Sequence, residues 1–218
     1  MRSPLDSPFR PGSDTVPEVW AGRTSHLSDW RDVLRPRRAA GLHERGRTIL
    51  GEAGSGKSSL VRRIAREASQ SGDWATPQLR IPSGTDPLKK VISALLDLSA
   101  AAGLPAAQEK RIGDFLGRVE TLSASGVSLS MRAQDEPEPY VILTNLLIEI
   151  GRAAIRRGDV VVIIHIDEVQ NISDENALSQ LLTALGDALT HEKTIDVPGG
   201  LQIERGLPIA VYLTGLPC

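Results

Sequence analysis

The run VVVIIHID, residues 160–167, is the strongest constraint on what this chain can fold into. Its β-branched density and its length suit a strand, and a strand so apolar must be covered on both faces. That is the situation of a central strand in a parallel sheet, flanked by crossover helices. The rest of the sequence supplies such helices. Leu60, Val61, Ile64, Ala65 and Ala68 recur at helical spacing until Ser71 and Gly72 stop them. Leu88, Val91, Ile92, Leu95 and Leu96 form a second face, with Asp86 as expected N-cap, Pro87 at the first helical position, and Gly103 and Pro105 at the end. Ile112, Phe115, Leu116 and Val119 suggest another helix, and residues 140–157 read as a buried one. Ser173 is expected to cap a last helix carrying Leu178, Leu181, Leu182, Leu185 and Leu189.

Three more strands are expected at TIL (48–50), PQLRIP (77–82) and PIAVYLTG (208–215), with GVSLSM (126–131) as a hairpin strand. Residues 133–139 read as an acidic, proline-containing loop, and 192–206 as a polar loop around PGG. Strands alternating with helices give an α/β fold, a mostly parallel central sheet between two helical layers. Residues 1–18, rich in proline, read as a mobile arm ahead of one domain over 19–218. The 218 residues suffice for one core of ordinary size.

The glycine-rich stretch GEAGSGKSS, residues 51–59, lies between the strand TIL and the first helix. Glycine loses the most backbone entropy on ordering, so such a cluster belongs where the chain needs positive φ or close approach to a ligand. A polyphosphate provides that need. Backbone N–H groups wrap its oxygens where no Cβ intrudes, and a helix N-terminus adds a favourable dipole. Gly51, Glu52, Ala53, Gly54, Ser55, Gly56, Lys57, Ser58 and Ser59 form the expected cradle. Lys57 reaches the β and γ oxygens, and the Ser58 hydroxyl ligates Mg²⁺. The spacing G-x4-G-K-[ST] arises by chance in about one chain of this length in a hundred. The alternative is a glycine turn without ligand.

A magnesium nucleotide calls for a carboxylate to orient the metal and, for hydrolysis, a base for water. Asp167 and Glu168 follow directly on the apolar strand, Asp167 for the metal and Glu168 for the water. The alternative is a loop-capping Asp beside a solvated Glu. Thr214 ends the strand PIAVYLTG and touches the γ-phosphate or the lytic water if that strand lies between the other two; otherwise it is a strand-end threonine satisfied by backbone. His165 reads as structural, and Trp20, Trp30 and Trp74 as packing residues.

Together these residues resemble an AAA+ ATPase core of the origin-recognition-like and STAND-type group, a P-loop NTPase. GEAGSGKSS resembles its Walker A motif, VVVIIHIDE its Walker B motif, and WAGRTSHLSDWRDVL (20–34) the box ahead of the nucleotide site. The resemblance implies a three-layer αβα fold, ATP or ADP with Mg²⁺ as cofactors, and Gly22 and Arg23 near the adenine, with Val19 and Trp20 as neighbours. It places Thr214 where many relatives carry a sensor asparagine. It further implies that Cys218 falls before a fifth strand and a helical lid, leaving TIL with an unpaired edge and hydrolysis very slow. A protein partner or self-association is expected, DNA by family analogy alone.

The expected activity is that of a nucleotide-dependent ATPase switch. The rivals are a nucleotide-binding interaction module without turnover and a P-loop kinase, against which the adjacent Asp-Glu pair speaks. A net charge of −2 gives no global attraction for nucleic acid. The short clusters Arg35, Arg37, Arg38 and Arg62, Arg63 and Arg156, Arg157 read as solvated surface. Cys218 is the single cysteine, which excludes an internal disulfide and suits the cytoplasm. No apolar run reaches the ~18 residues of a membrane span.

Overall fold

A computed structural model describes residues 22–104, 138–197 and 200–217. The expected arm at 1–18, Val19 and Trp20, the helix at 112–119, the strand at 126–131 and most of the acidic loop at 133–139 lie outside the described residues.

The chain enters through helix α1, in which α-helical Thr24–Ser28, π-helical Asp29–Leu34 and α-helical Arg35–Ala39 run on without a break. The wider turns of the middle segment end against Pro36, whose ring has no N–H to donate. Strand β1 (Arg47–Leu50) follows, then helix α2 (Lys57–Gln70), short strands β2 (Trp74–Ala75) and β3 (Leu79–Arg80), and helix α3 (Pro87–Ala101). Helix α4 (Pro139–Arg157) leads to strand β4 (Val162–Asp167), a 3-10 turn (Val169–Asn171) and helix α5 (Glu175–Thr190). Strands β5 (Glu192–Val197), β6 (Leu201–Gly206) and β7 (Ile209–Gly215) complete the described chain.

The main sheet runs β1-β7-β4-β2, with β3 also pairing β4, and every pairing is parallel. Among the described residues β1 pairs with β7 alone and so stands at the edge.

Alternation along the strands sorts side chains into two cores. Val161 just before β4, Ile163 of β4, and Ala210 and Tyr212 of β7 pack with Leu27, Trp30 and Leu34 of α1 and Leu60, Val61 and Ile64 of α2. Val162, Ile164, Ile166, Ile209 and Val211 face the other way, onto α3, α4 and α5. Each fully buried aliphatic side chain contributes roughly 1.5–3 kcal/mol of transfer free energy. The two-sided cover expected of the apolar run is therefore present. Trp30 is a packing residue, its ring 6.4 Å from that of Tyr212.

Three local expectations are corrected. Residues 192–206 are not an open polar loop but an antiparallel hairpin of β5 and β6. Its apolar positions alternate and pair, Ile195 opposite Ile203, while Thr194 donates to Glu204 on the polar face and Gly200 turns the chain at φ +76°. The cap of α5 is Asp174 rather than Ser173; its carboxylate accepts from the N–H groups of Asn176 and Ala177 at 2.9 and 3.1 Å. The cluster at Arg35, Arg37 and Arg38 is not uniformly solvated. Arg38 is fully buried and donates to the carbonyls of Leu189 and Glu44, and burial pushes its guanidinium down to about 10.

Arg35 meets Asp73 through two hydrogen bonds, at 2.9 and 3.2 Å. The buried Asp73 carboxylate also accepts from the Val161 N–H at 2.9 Å, pinning the entry to β4 against α1. Removing the carboxylate strands the Val161 N–H in a dry site and takes the main partner from the half-buried Arg35, which keeps its bonds to Asp159. Asp73→Ala is therefore expected to lower stability by about 2–3 kcal/mol in urea unfolding. An unchanged midpoint would show that water replaces the carboxylate without cost.

Candidate functional site

The register of the parallel strands brings the two sequence motifs to one edge of the sheet. Thr214 on β7 pairs with Ile49 on one side and Asp167 on the other. Gly51 leaves β1 two residues further on, its N–H donating to the carbonyl of Gly215. The glycine loop and the acidic residues thus emerge together at the carboxyl ends of the strands, where open α/β sheets bind ligands.

The loop turns on its glycines. The Ser55 N–H donates to the Glu52 carbonyl, closing a turn with Gly54 in third place at φ +75°. Gly56 caps α2 at φ +77° and accepts the first helical bond, from Leu60. A Cβ at either glycine would meet no protein atom within 4 Å, so backbone conformation rather than crowding demands glycine there. Lys57 is buried, and its ammonium donates to the carbonyls of Gly51 and Glu52 at 2.6 and 2.9 Å. The cation is therefore folded over the loop. Arg23, in left-handed backbone at φ 57°, donates to the Ser55 carbonyl, which brings the upstream box against the loop.

Parity along the strands explains the acidic centre. Ile163 faces α2, so His165 and Asp167 do too, and Thr214 follows Tyr212 onto the same face. Asp167 is 2% exposed and lies at the centre of a converging set of donors. Ser58 Oγ, in the first turn of α2, donates to its Oδ2 at 2.9 Å. Gln78 Nε2 donates to the same oxygen, and Thr214 Oγ1 donates to Oδ1. Burial opposes ionisation of Asp167, but the bonds from Thr214, Ser58 and Gln78 outweigh it and hold the carboxyl below its ordinary value.

His165 Nε2 lies 3.2 Å from Thr214 Oγ1. The threonine proton is committed to Asp167, so His165 must donate here, which fixes its Nε2–H tautomer. Burial pushes this histidine down to about 4, so the ring is neutral at pH 7. Donation by Thr214 to a γ-phosphate oxygen would require its bond to Asp167 to be given up, whereas its remaining lone pair can still accept from a water.

Glu168 stands apart from this cluster. Its backbone is left-handed, at φ 60° and ψ 43°. Its carboxylate accepts from Asn171 Nδ2 at 3.1 Å and pairs with Arg80 at 3.5 Å. The roles of two glutamines and an asparagine escaped the sequence reading. Gln78 supports Asp167, Gln170 accepts from the Leu216 N–H, and Asn171 holds Glu168. Gln78 and Gln170 meet their partners only through the pairing of distant segments, whereas Asn171 lies three residues from Glu168.

The residues fit a magnesium nucleotide. The loop presents glycines at positive φ and a lysine, and its following serine shares a hydrogen bond with a buried, ionised acid. Among the described residues no group of three or more His, Cys, Asp or Glu forms a self-sufficient metal cluster, and none of their helices is long and apolar enough to cross a membrane.

Comparison with known proteins agrees with this geometry. The fold is similar to that of the ORC2 protein of Aeropyrum pernix, solved in ADPNP–ADP complexes, with a TM-score of 0.50 at 17% identity. The alignment covers 93% of this chain and 43% of that protein. No curated relative matches. A family model described as an AAA ATPase domain matches residues 19–194, a span that takes in the glycine loop, β4 and the upstream box. The chain therefore belongs to the AAA ATPase domain family, with the nucleotide-binding, ATPase-type core of an AAA+ P-loop NTPase.

Proposed function

We propose that this chain binds ATP and ADP with Mg²⁺, hydrolyses ATP, and acts as a nucleotide-dependent switch in the cytoplasm. The observation that carries the reading is the hydrogen bond from Ser58 to Asp167, which joins the start of the loop helix to the end of the central strand. Gly51, Glu52, Ala53, Gly54, Ser55 and Gly56 wrap the phosphates through their N–H groups, and Lys57 neutralises the β and γ oxygens. Ser58 and Ser59 lie at the dipole end of α2, and Arg23 closes the loop from outside. Ser58 and Asp167 would hold the metal, Ser58 through its hydroxyl and Asp167 through the acceptor capacity its three donors leave. Glu168 draws a proton from the attacking water, and Thr214 acts through Asp167. When bound, the metal supplies charge stabilisation for phosphoryl transfer.

ADPNP and ADP are the ligand class reported for the ORC2 protein of similar fold. A protein partner or a second copy is the body on which the switch acts, with DNA entering by family resemblance alone. A second reading, binding without turnover, draws on the engagement of Glu168 by Asn171 and Arg80.

Titration with magnesium ATP and ADP is expected to release heat and raise the unfolding temperature. No heat and no shift would overturn the reading. Phosphate release measured with and without added partners then separates the switch from the module without turnover.

A further inference from the structure

The Gln78 side chain lies between a group that only donates and a group that only accepts. Arg62 on α2 donates to Gln78 Oε1, and Gln78 Nε2 donates to Asp167 Oδ2. A guanidinium has no acceptor and an ionised carboxylate has no proton, so only one orientation of the amide satisfies both neighbours. Arg62 thus aims the Gln78 N–H at Asp167. Of the other two donors, Thr214 is likewise held from behind, its Oγ1 lying 3.2 Å from His165 Nε2, whereas Ser58 is a hydroxyl that turns about its C–O bond. Ser58 is also the hydroxyl that the nucleotide's metal would claim. Gln78 is thus, beside Thr214, a donor to Asp167 whose direction is fixed from behind, and it has no second task at the metal.

We propose that Gln78 is a positioning residue for the metal-orienting carboxylate, with Arg62 fixing its amide. This rests on the reading of Asp167 given under Proposed function. Gln78 touches neither nucleotide nor metal; it sets the direction in which Asp167 presents its free acceptor. Groups that orient a metal's immediate partners typically contribute about 10- to 100-fold in metal affinity. The segment carrying it, between β2 and β3, is tied to β4 by strand pairing on both sides, which keeps the amide in reach.

The test is the magnesium dependence of ATP binding by the full chain, followed by calorimetry, with binding in EDTA measured in parallel. Gln78→Met keeps the volume and removes the donor; Gln78→Ala is the second variant should methionine distort the segment. Either is expected to raise the Mg²⁺ concentration for half-maximal tightening at least about tenfold. Affinity in EDTA should stay at the wild-type value, while the unfolding temperature without nucleotide falls with the loss of two hydrogen bonds. Asp167→Asn is the reference. If Asp167→Asn shifts the magnesium requirement and both Gln78 variants leave it unchanged, the positioning role is overturned and the nucleotide site stands. Equal weakening with and without Mg²⁺ also overturns it, since the substitution then acts on the loop as a whole. If the wild type shows no magnesium-dependent binding, the nucleotide reading falls and this role falls with it.

Discussion

Replacing Lys57 by alanine is expected to weaken magnesium–ATP binding by about 100-fold, measured by titration calorimetry. The ammonium sits at the loop, bonded to the carbonyls of Gly51 and Glu52, where phosphate oxygens would compete for it. A hydrogen bond to a charged group contributes about 1.5–3 kcal/mol, so losing two exceeds the factor of 100 even at the low end. Part of that is offset because the lysine must release its loop carbonyls to meet the phosphate. Stability without nucleotide should change less than binding, since both carbonyls belong to a loop whose residues are exposed or half-exposed. Wild-type affinity in this variant would mean that the cradle is not the phosphate site.

Glu168→Gln is expected to leave nucleotide affinity nearly unchanged and to lower phosphate release by about 10²- to 10⁴-fold, the usual contribution of a general base. The amide oxygen of glutamine can still accept from Asn171, so the local structure is retained. What is lost is the group that takes a proton from water and the charge facing Arg80. Rates within about fivefold of wild type would remove Glu168 from the chemistry and favour a different base. A wild-type protein with no turnover under any condition would favour the non-hydrolysing module.

The central strand, the glycine loop and the acid after the strand were legible because each is encoded locally. A dense β-branched run, three glycines before a lysine, and a carboxylate at a strand end need no knowledge of distant contacts. Thr214 was placed conditionally, on β7 lying between β1 and β4, and the sheet order meets that condition. Its partner could not be foreseen, since strand register decides that the hydroxyl meets Asp167. Gln78 was invisible for the same reason: it joins the site only because β2 and β3 pair with β4. Arg38 looked like one member of a basic surface run, yet it reaches a carbonyl 151 residues away. The hairpin was hidden by composition. One of its faces carries Thr194, Asp196, Gln202 and Glu204, which masked the alternation of Ile195 with Leu201 and Ile203. Ser173 and Asp174 are both competent caps, and only the geometry of the turn chooses between them.

The two faces of β4 carry different duties, one wholly greasy, the other ending in a histidine and an acid. Adding or dropping a single amino acid within that strand would exchange them. It would aim the carboxylate into the oily layer beneath α3 and α5 and present an isoleucine to the glycine loop. Drift in the length of this segment is therefore closed to descendants of the chain, whereas the hairpin tip, with Leu201 68% exposed, is free to grow or shrink.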